Sequence, residues 1–317
     1  MKRRVLMAAA MSAGLGYRSS QAQTGSYPSK PIRGIVPFSA GSASDVTFRV
    51  FCDLLSREVG QPVVVDNRPG ANAVVGMQAL KAAPADGYTL GFGSTGMYVN
   101  PLFIKNLAYS LSDFREIAPI AMSIPGFIVA AQSPYKTLED AIAASRKRGT
   151  SLQVGTYTTT YQLGIYWLAQ LAGIVAEPVL YKGGPEIVAD LLGGSLELSL
   201  TAITEVLPLV REGKLRLLAT TGGQPTVPGV PIVKASYPDY EFSIVSWFIA
   251  RVTTPDPIVD KLSKIIMASV TSPEAKAFYE RSTATAPVGD VQSVLKMQGH
   301  ALAQLRAVAE KVGIKPQ

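Results

Sequence analysis
Three short stretches place hydroxyl groups and small residues where a chain can hold an anion. They are Pro37-Phe38-Ser39-Ala40-Gly41-Ser42-Ala43-Ser44-Asp45, Phe92-Gly93-Ser94-Thr95 and Gly155-Thr156-Tyr157-Thr158-Thr159-Thr160. Each follows a short apolar run with strand character and leads into a helical pattern. Small residues let the backbone turn tightly, and the first N–H groups of a helix have no partner inside it. Those donors and the positive end of the helix dipole make an anion site. Taken alone, a single turn of this kind is better explained as a capped helix, with Ser42 or Ser44 as cap and Asp45 complementing the dipole. Three such turns in one chain make capping alone less sufficient. Asp45 is expected to act by ordering the Ser39–Ser44 turn, not as a catalytic acid.

Other reactive side chains are few. The chain has one His, His300, and one Cys, Cys52. A multi-His metal centre, a thiolate cluster and an internal disulfide are therefore excluded. His300 lies in the terminal pattern Val294, Leu295, Met297, Leu302, Leu305, which suits a helix surface better than a general base. Cys52 sits inside a helical pattern as a small hydrophobe. No G-x-S-x-G motif occurs, and a Ser-His-Asp triad would have to recruit His300. Gly91-Phe92-Gly93-Ser94-Thr95-Gly96 matches G-x-G-x-x-G formally. It lies outside the first strand–helix unit and lacks the acidic residue that binds a ribose, so we read it as a small-residue loop.

The elements that carry these turns alternate regularly. Ile32–Val36, Val63–Val65 and Thr89–Phe92 read as strands, separated by helical spacing at Val46, Val50, Phe51, Leu54 and Leu55 and over 71–83. A second cycle has strands at 117–122, 127–131, 153–155, 178–181, 196–200 and 215–220. Helices alternate with them near 159–172, 185–192 and 204–212. A loop rich in Pro and Gly over 222–240 precedes a strand at 245–252 and helices at 256–270 and 290–311. The pattern predicts an α/β protein with largely parallel sheets. It also predicts two lobes: 27–124 with 246–317 as a discontinuous first lobe, and 125–245 as the second. The chain is expected to cross between them near 123–126 and 245–247. Ligands of open α/β sheets bind beyond the carboxyl ends of the strands, so two facing edges make a cleft that hinge closure can seal.

Composition agrees with a folded, exported protein. The 317 residues are 47% apolar and 17% charged, enough to bury a sizeable core. The net charge of +7 suggests a nucleic-acid partner only until it is located. Lys2, Arg3, Arg4 and Arg18 lie in an acid-free start, and without them 26 basic residues face 23 acidic ones, a net of +3. Lys2-Arg3-Arg4, the short apolar run Val5–Met11 and the small residues near Ser20-Gln21-Ala22 fit a secretory signal over 1–22.

Taken together, the residues resemble a known family, the substrate-binding proteins of tripartite tricarboxylate transporters, also called Bordetella uptake gene or TctC-type receptors. The resemblance is carried by Pro31-Ile32-Arg33 leading to Val36-Pro37-Phe38 and Asp45, by Gly60 through Ala71 with its Asp66-Asn67-Arg68, and by Ala85-Asp86-Gly87-Tyr88-Thr89-Leu90. Tyr181-Lys182-Gly183, Asp190-Leu191-Leu192-Gly193-Gly194, Gly213-Lys214-Leu215-Arg216 and Ser246-Trp247-Phe248 continue it in order.

The resemblance implies a type II periplasmic-binding-protein-like fold with the ligand cleft between the lobes. It implies a monomeric periplasmic receptor that delivers a small organic acid to a membrane permease, with no cofactor, metal, nucleic acid or catalysis. An orphan receptor serving a signalling partner and a periplasmic hydrolase are the alternatives. By position, the first-lobe site takes Phe38, Ser39, Ala40, Ser42, Asp45 and Ser94 or Thr95. The second-lobe site takes Thr156, Thr159, Thr160 and the Tyr181-Lys182-Gly183 turn. Three departures bear on the ligand: the loosened Gly41-Ser42-Ala43-Ser44-Asp45, a shorter second-lobe loop with Tyr157 and Tyr161, and Thr201-Ala202 where the family has Asp-Asn. The two tyrosines suggest a mono- or dicarboxylate with an apolar or aromatic body, in preference to citrate-like ligands. Mass spectrometry of periplasmic protein is expected to find a mature N-terminus between Gln21 and Ser26; a functional soluble form retaining 1–22 would contradict the signal.

Overall fold
The computed structural model describes residues 27–316; the expected signal over 1–22 and its cleavage window before Ser26 lie outside them. The chain opens with β1 (Ile32–Val36), α1 (Ala43–Val59), β2 (Val63–Asn67), α2 (Val74–Ala82), β3 (Thr89–Ser94) and the single turn α3 (Thr95–Val99). It continues through β4 (Phe114–Ser123), β5 (Pro125–Ala130), α4 (Leu138–Arg148), β6 (Leu152–Thr156) and α5 (Thr159–Ala172). Then come β7 (Ala176–Leu180), α6 (Gly184–Gly193), β8 (Leu198–Ala202), α7 (Ile203–Arg211) and β9 (Leu215–Thr220). A short α8 (Val233–Ser236), β10 (Ile244–Arg251), α9 (Asp256–Ser269), α10 (Pro273–Ser282) and α11 (Val291–Lys311) complete it.

The strands form two five-stranded sheets, ordered β2-β1-β3-β10-β4 and β7-β6-β8-β5-β9. β1 pairs parallel with β2 and β3, and β6 with β7 and β8. β10 and β5 run antiparallel to both of their neighbours. The sheets are thus largely parallel, as expected, with one reversed strand in each. The reason is geometric: β5 and β10 enter each sheet from the other lobe, so they start at the junction where the other strands end.

Two crossings join the lobes. Only Ile124 separates β4 from β5. The second crossing lies at Ser243, just ahead of the expected 245–247, because Val245 to Trp247 already pair with Met122, Ala121 and Pro119. The fully buried Thr221 ties the crossings together: its hydroxyl lies 3.0 Å from the Pro125 carbonyl and 2.6 Å from that of Phe242.

Each lobe has its own core. Phe48, Phe51, Phe92 and Phe248 pack between the first sheet and α1, α9 and α10, whereas Phe127, Tyr161, Leu168 and Tyr240 anchor the second. α11 does not stay on the first lobe, where 246–317 was expected: Val294 packs with Trp247, while Leu305 and Val308 pack into the second lobe's core. Two further differences are local. α2 begins at Val74, not Ala71, because Ala71, Asn72 and Ala73 adopt φ of 46°, 52° and 74° and cannot continue a right-handed helix. α10 lies in a stretch where no helix was read; Ser272 caps it by accepting from the Ala275 N–H at 3.1 Å, and Pro273 starts it.

The G-x-G-x-x-G stretch answers to sheet packing. A Cβ at Gly93 would lie 2.7 Å from Ile249 Cγ2 on β10, whose side chain is fully buried. Gly93→Ala is therefore expected to lower stability by about 1–3 kcal/mol through overpacking, read as a reduced urea midpoint. An unchanged midpoint would show that the loop, and not the sheet, requires glycine.

Candidate functional site
The first-lobe turn is built around Asp45. Ser42 caps α1, its hydroxyl accepting from the Asp45 N–H at 3.3 Å. The Asp45 carboxylate accepts from the Gly41 N–H at 2.8 Å, from Arg49 Nε at 3.0 Å and from Asn67 Nδ2 at 2.8 Å. Asn67 also donates to the Phe38 carbonyl at 3.0 Å. Burial opposes ionisation of Asp45, but Arg49, Gly41 and Asn67 together hold its carboxyl below the usual range. Asp45 is 2% exposed and fully engaged within its own lobe. The half-buried Phe38 ring meets Phe92 edge-on at 6.2 Å. Ser39, Ala40 and Gly41 stand exposed at the lip of the turn, with Ser42 half-buried behind them.

The other expected residues divide into committed and free groups. Thr95 is buried and accepts from the Val245 N–H at 3.0 Å, which ties α3 to β10. Thr159 donates to Asn100 Oδ1 at 3.2 Å across the lobes. Tyr181 donates to Asp190 at 2.7 Å; burial, then this bond, pushes its pKa up to about 12. The exposed Lys182 gives its N–H to Glu186 at 3.0 Å, and Gly183 is the N-cap of α6. Thr156 and Thr160 are 0% and 2% exposed, and neither hydroxyl has a hydrogen-bond partner. Such groups point to a missing partner. Thr160 Oγ1 and Ser94 Oγ both face Gly96, where a Cβ would lie 3.3 and 3.4 Å away.

The lobes touch at these same residues. Besides Thr159 to Asn100, Thr204 on α7 donates to the Ser282 carbonyl of α10 at 2.5 Å. Glu205, also on α7, reaches the junction of three helix starts. Its Oε1 accepts from the Tyr157 hydroxyl at 3.1 Å, and its Oε2 lies against Gly184 at the start of α6, where only glycine leaves room. The Ala43 N–H at the start of α1 and the Thr201 hydroxyl lie close by and favour the ionised form. Burial outweighs them and raises the Glu205 pKa above the ordinary carboxylate value.

Sequence reasoning missed Glu205, Asn100, Asn67 and Thr158, the last being the actual cap of α5. Glu205 stands one turn beyond the end of β8, a strand end noted for its Thr201-Ala202 but not read as an anion-holding turn, because Thr201-Ala202-Ile203 contains no glycine. The tyrosines are also placed differently from the aromatic-ligand expectation. Tyr157 and Tyr161 meet edge-to-face at 5.3 Å, and Tyr161 packs on Phe242 at 6.3 Å as core. Their faces are occupied within the lobe. His300 is exposed on α11, and Cys52 is fully buried with its thiol pKa raised well above normal, mainly by burial. Among the described residues no group of three or more His, Cys, Asp and Glu could hold a metal ion, and no helix is long and apolar enough to cross a membrane.

Two lobes joined by two crossings, with helix starts from both turned on one junction, are the two-lobed architecture of solute-binding proteins. The sequence pattern of the tripartite tricarboxylate transporter family receptor matches residues 47–314, and the chain belongs to that family. A Cupriavidus necator relative, the UPF0065 protein in the gbd 5' region, is 30% identical over 321 residues, covering 98% of this chain and 95% of that one. The solved structure of R. palustris Rpa4515 with adipate is similar at TM-score 0.85 and 26% identity, covering 92% of this chain and 100% of that one. The periplasmic binding protein BugD shares the fold at TM-score 0.80 and 24% identity, with 92% and 100% covered.

The Asp45 network has a pH signature. Its depressed pKa contributes stability that is present above the unfolded-state value, about 3.9, and is lost as pH falls through the folded-state value. The stability gap between the unmodified chain and Asp45→Asn is expected at about 1–3 kcal/mol near neutral pH and should close in acid. A gap that persists unchanged into strong acid would show that the ionised carboxylate is not what orders the turn.

Proposed function
We propose that this chain is an exported periplasmic receptor that binds a small organic carboxylate between its lobes and delivers it to the membrane permease of a tripartite tricarboxylate-type transporter. The observation that carries this reading is the junction itself. The starts of α1, α6 and α7 meet at Glu205, the Thr160 hydroxyl faces Gly96 of the other lobe, and the buried Thr156 and Thr160 hydroxyls are unpartnered. Helix starts favour anions, and unpaired buried hydroxyls call for a polar guest. In this reading the ligand carboxylate takes N–H bonds from Ser39 and Ala40 and hydroxyl bonds from Ser94, Thr156 and Thr160, since the Gly41 and Ser42 N–H groups already donate to Asp45 and to the Ser39 carbonyl. Asp45, Thr95 and Tyr181 keep those partners in place without touching the ligand, because their own polar atoms are already engaged. The adipate on the R. palustris neighbour supports a carboxylate in particular.

A ligand that binds only the folded chain raises its stability by RT ln(1 + [L]/Kd), about 2.7 kcal/mol at a hundred times Kd. Thermal shift of the ligand-stripped protein against a panel of organic acids is expected to yield at least one concentration-dependent rise in Tm. Thr160→Ala should weaken that ligand about tenfold, the loss of one hydrogen bond to a charged group, at an unchanged ligand-free Tm. A panel with no rise at millimolar concentrations would refute carboxylate binding.

A further inference from the structure
Resting on that carboxylate-receptor reading, we infer that Glu205 sets the ligand class: it admits a monocarboxylate whose far end carries an N–H donor and rejects a second carboxylate. The position of its carboxylate is the first argument. It lies where the starts of α1, α6 and its own α7 converge, which is where a ligand's anionic end would otherwise be most stabilised. That positive potential is already occupied by the protein's own side chain.

The second argument is the contrast with Asp45. Asp45 accepts from Arg49 and carries no unneutralised charge toward the cleft. Among the described residues no Lys or Arg side chain pairs with Glu205, and its one hydrogen bond is from Tyr157. The buried Oε2 accepts no hydrogen bond of good geometry, although the Ala43 N–H and the Thr201 hydroxyl stand near the carboxylate. A buried acceptor left without a partner is costly, and an N–H of the ligand satisfies it. A second carboxylate there would face a like charge in a water-poor space, an arrangement that costs several-fold to many-fold in affinity.

The test compares three acids of one chain length: adipate, its monoamide and ε-aminocaproate, which carry a carboxylate, an amide and an ammonium at the far end. Calorimetric titration of the ligand-stripped mature chain is expected to show the monoamide or ε-aminocaproate bound at least about tenfold more tightly than adipate. Glu205→Gln, which keeps the volume and removes the charge, should abolish or reverse that order. Tyr157→Phe, which frees Oε1 without touching the charge, should keep it. Adipate bound as tightly as the other two, with no change in Glu205→Gln, would overturn the assignment and leave the receptor reading standing. If neither the unmodified chain nor Glu205→Gln binds any acid of these three or of the wider panel, the receptor reading falls, and the inference with it.

Discussion
Backbone N–H groups at the start of a helix have no partner inside that helix, and in this chain four helices begin at one place. α1 comes from the first lobe and α5, α6 and α7 from the second, each following a strand that ends at the junction. Ser42 and Thr158 satisfy some of those donors as caps, whereas α6 and α7 have no side-chain cap. The rest of the architecture follows from keeping those unsatisfied groups face to face. Two sheets must point their carboxyl ends at each other, and the chain must pass between them without filling the gap.

The crossings meet that requirement. β5 and β10 start at the junction and run outward, which is why each is the one strand reversed in its sheet. Thr221 binds both passages to a single point. α11 adds a third link by packing into both cores. Rotation about closely spaced crossings is the hinge geometry of receptors that close on a ligand.

Charge is handled differently on the two sides of the cleft. In the first lobe Asp45 is neutralised by Arg49 and held by Asn67, so its charge organises the turn and goes no further. In the second lobe Glu205 is buried with only a tyrosine hydroxyl as donor. One carboxylate is paired with an arginine and depressed in pKa; the other has no cationic partner among the described residues and is raised in pKa by burial. The difference follows from the neighbours, since the two groups have similar intrinsic acidity.

The strand and helix alternation was legible in the sequence because apolar period and turn chemistry are local. Residues 32–36, 215–220 and most of the helices needed nothing beyond their own neighbours. The three hydroxyl-bearing turns were legible for the same reason, whereas Gly91 and Gly93, read as part of a small-residue loop, lie within β3 against Ile249. Other features depended on residues distant in the chain. Asn72 holds its left-handed conformation in a bond to Asn100, and the reversed strands follow from where the chain re-enters a sheet. Tyr157 and Tyr161 looked like ligand faces until their rings were found against each other. Sequence determined which segments can turn, cap and bury, because those are short-range properties of side chain and backbone. Tertiary structure alone decided that Glu205, some 160 residues from the α1 turn, sits beside it, because only the closing of one lobe on the other brings an acid of α7 to the start of α1.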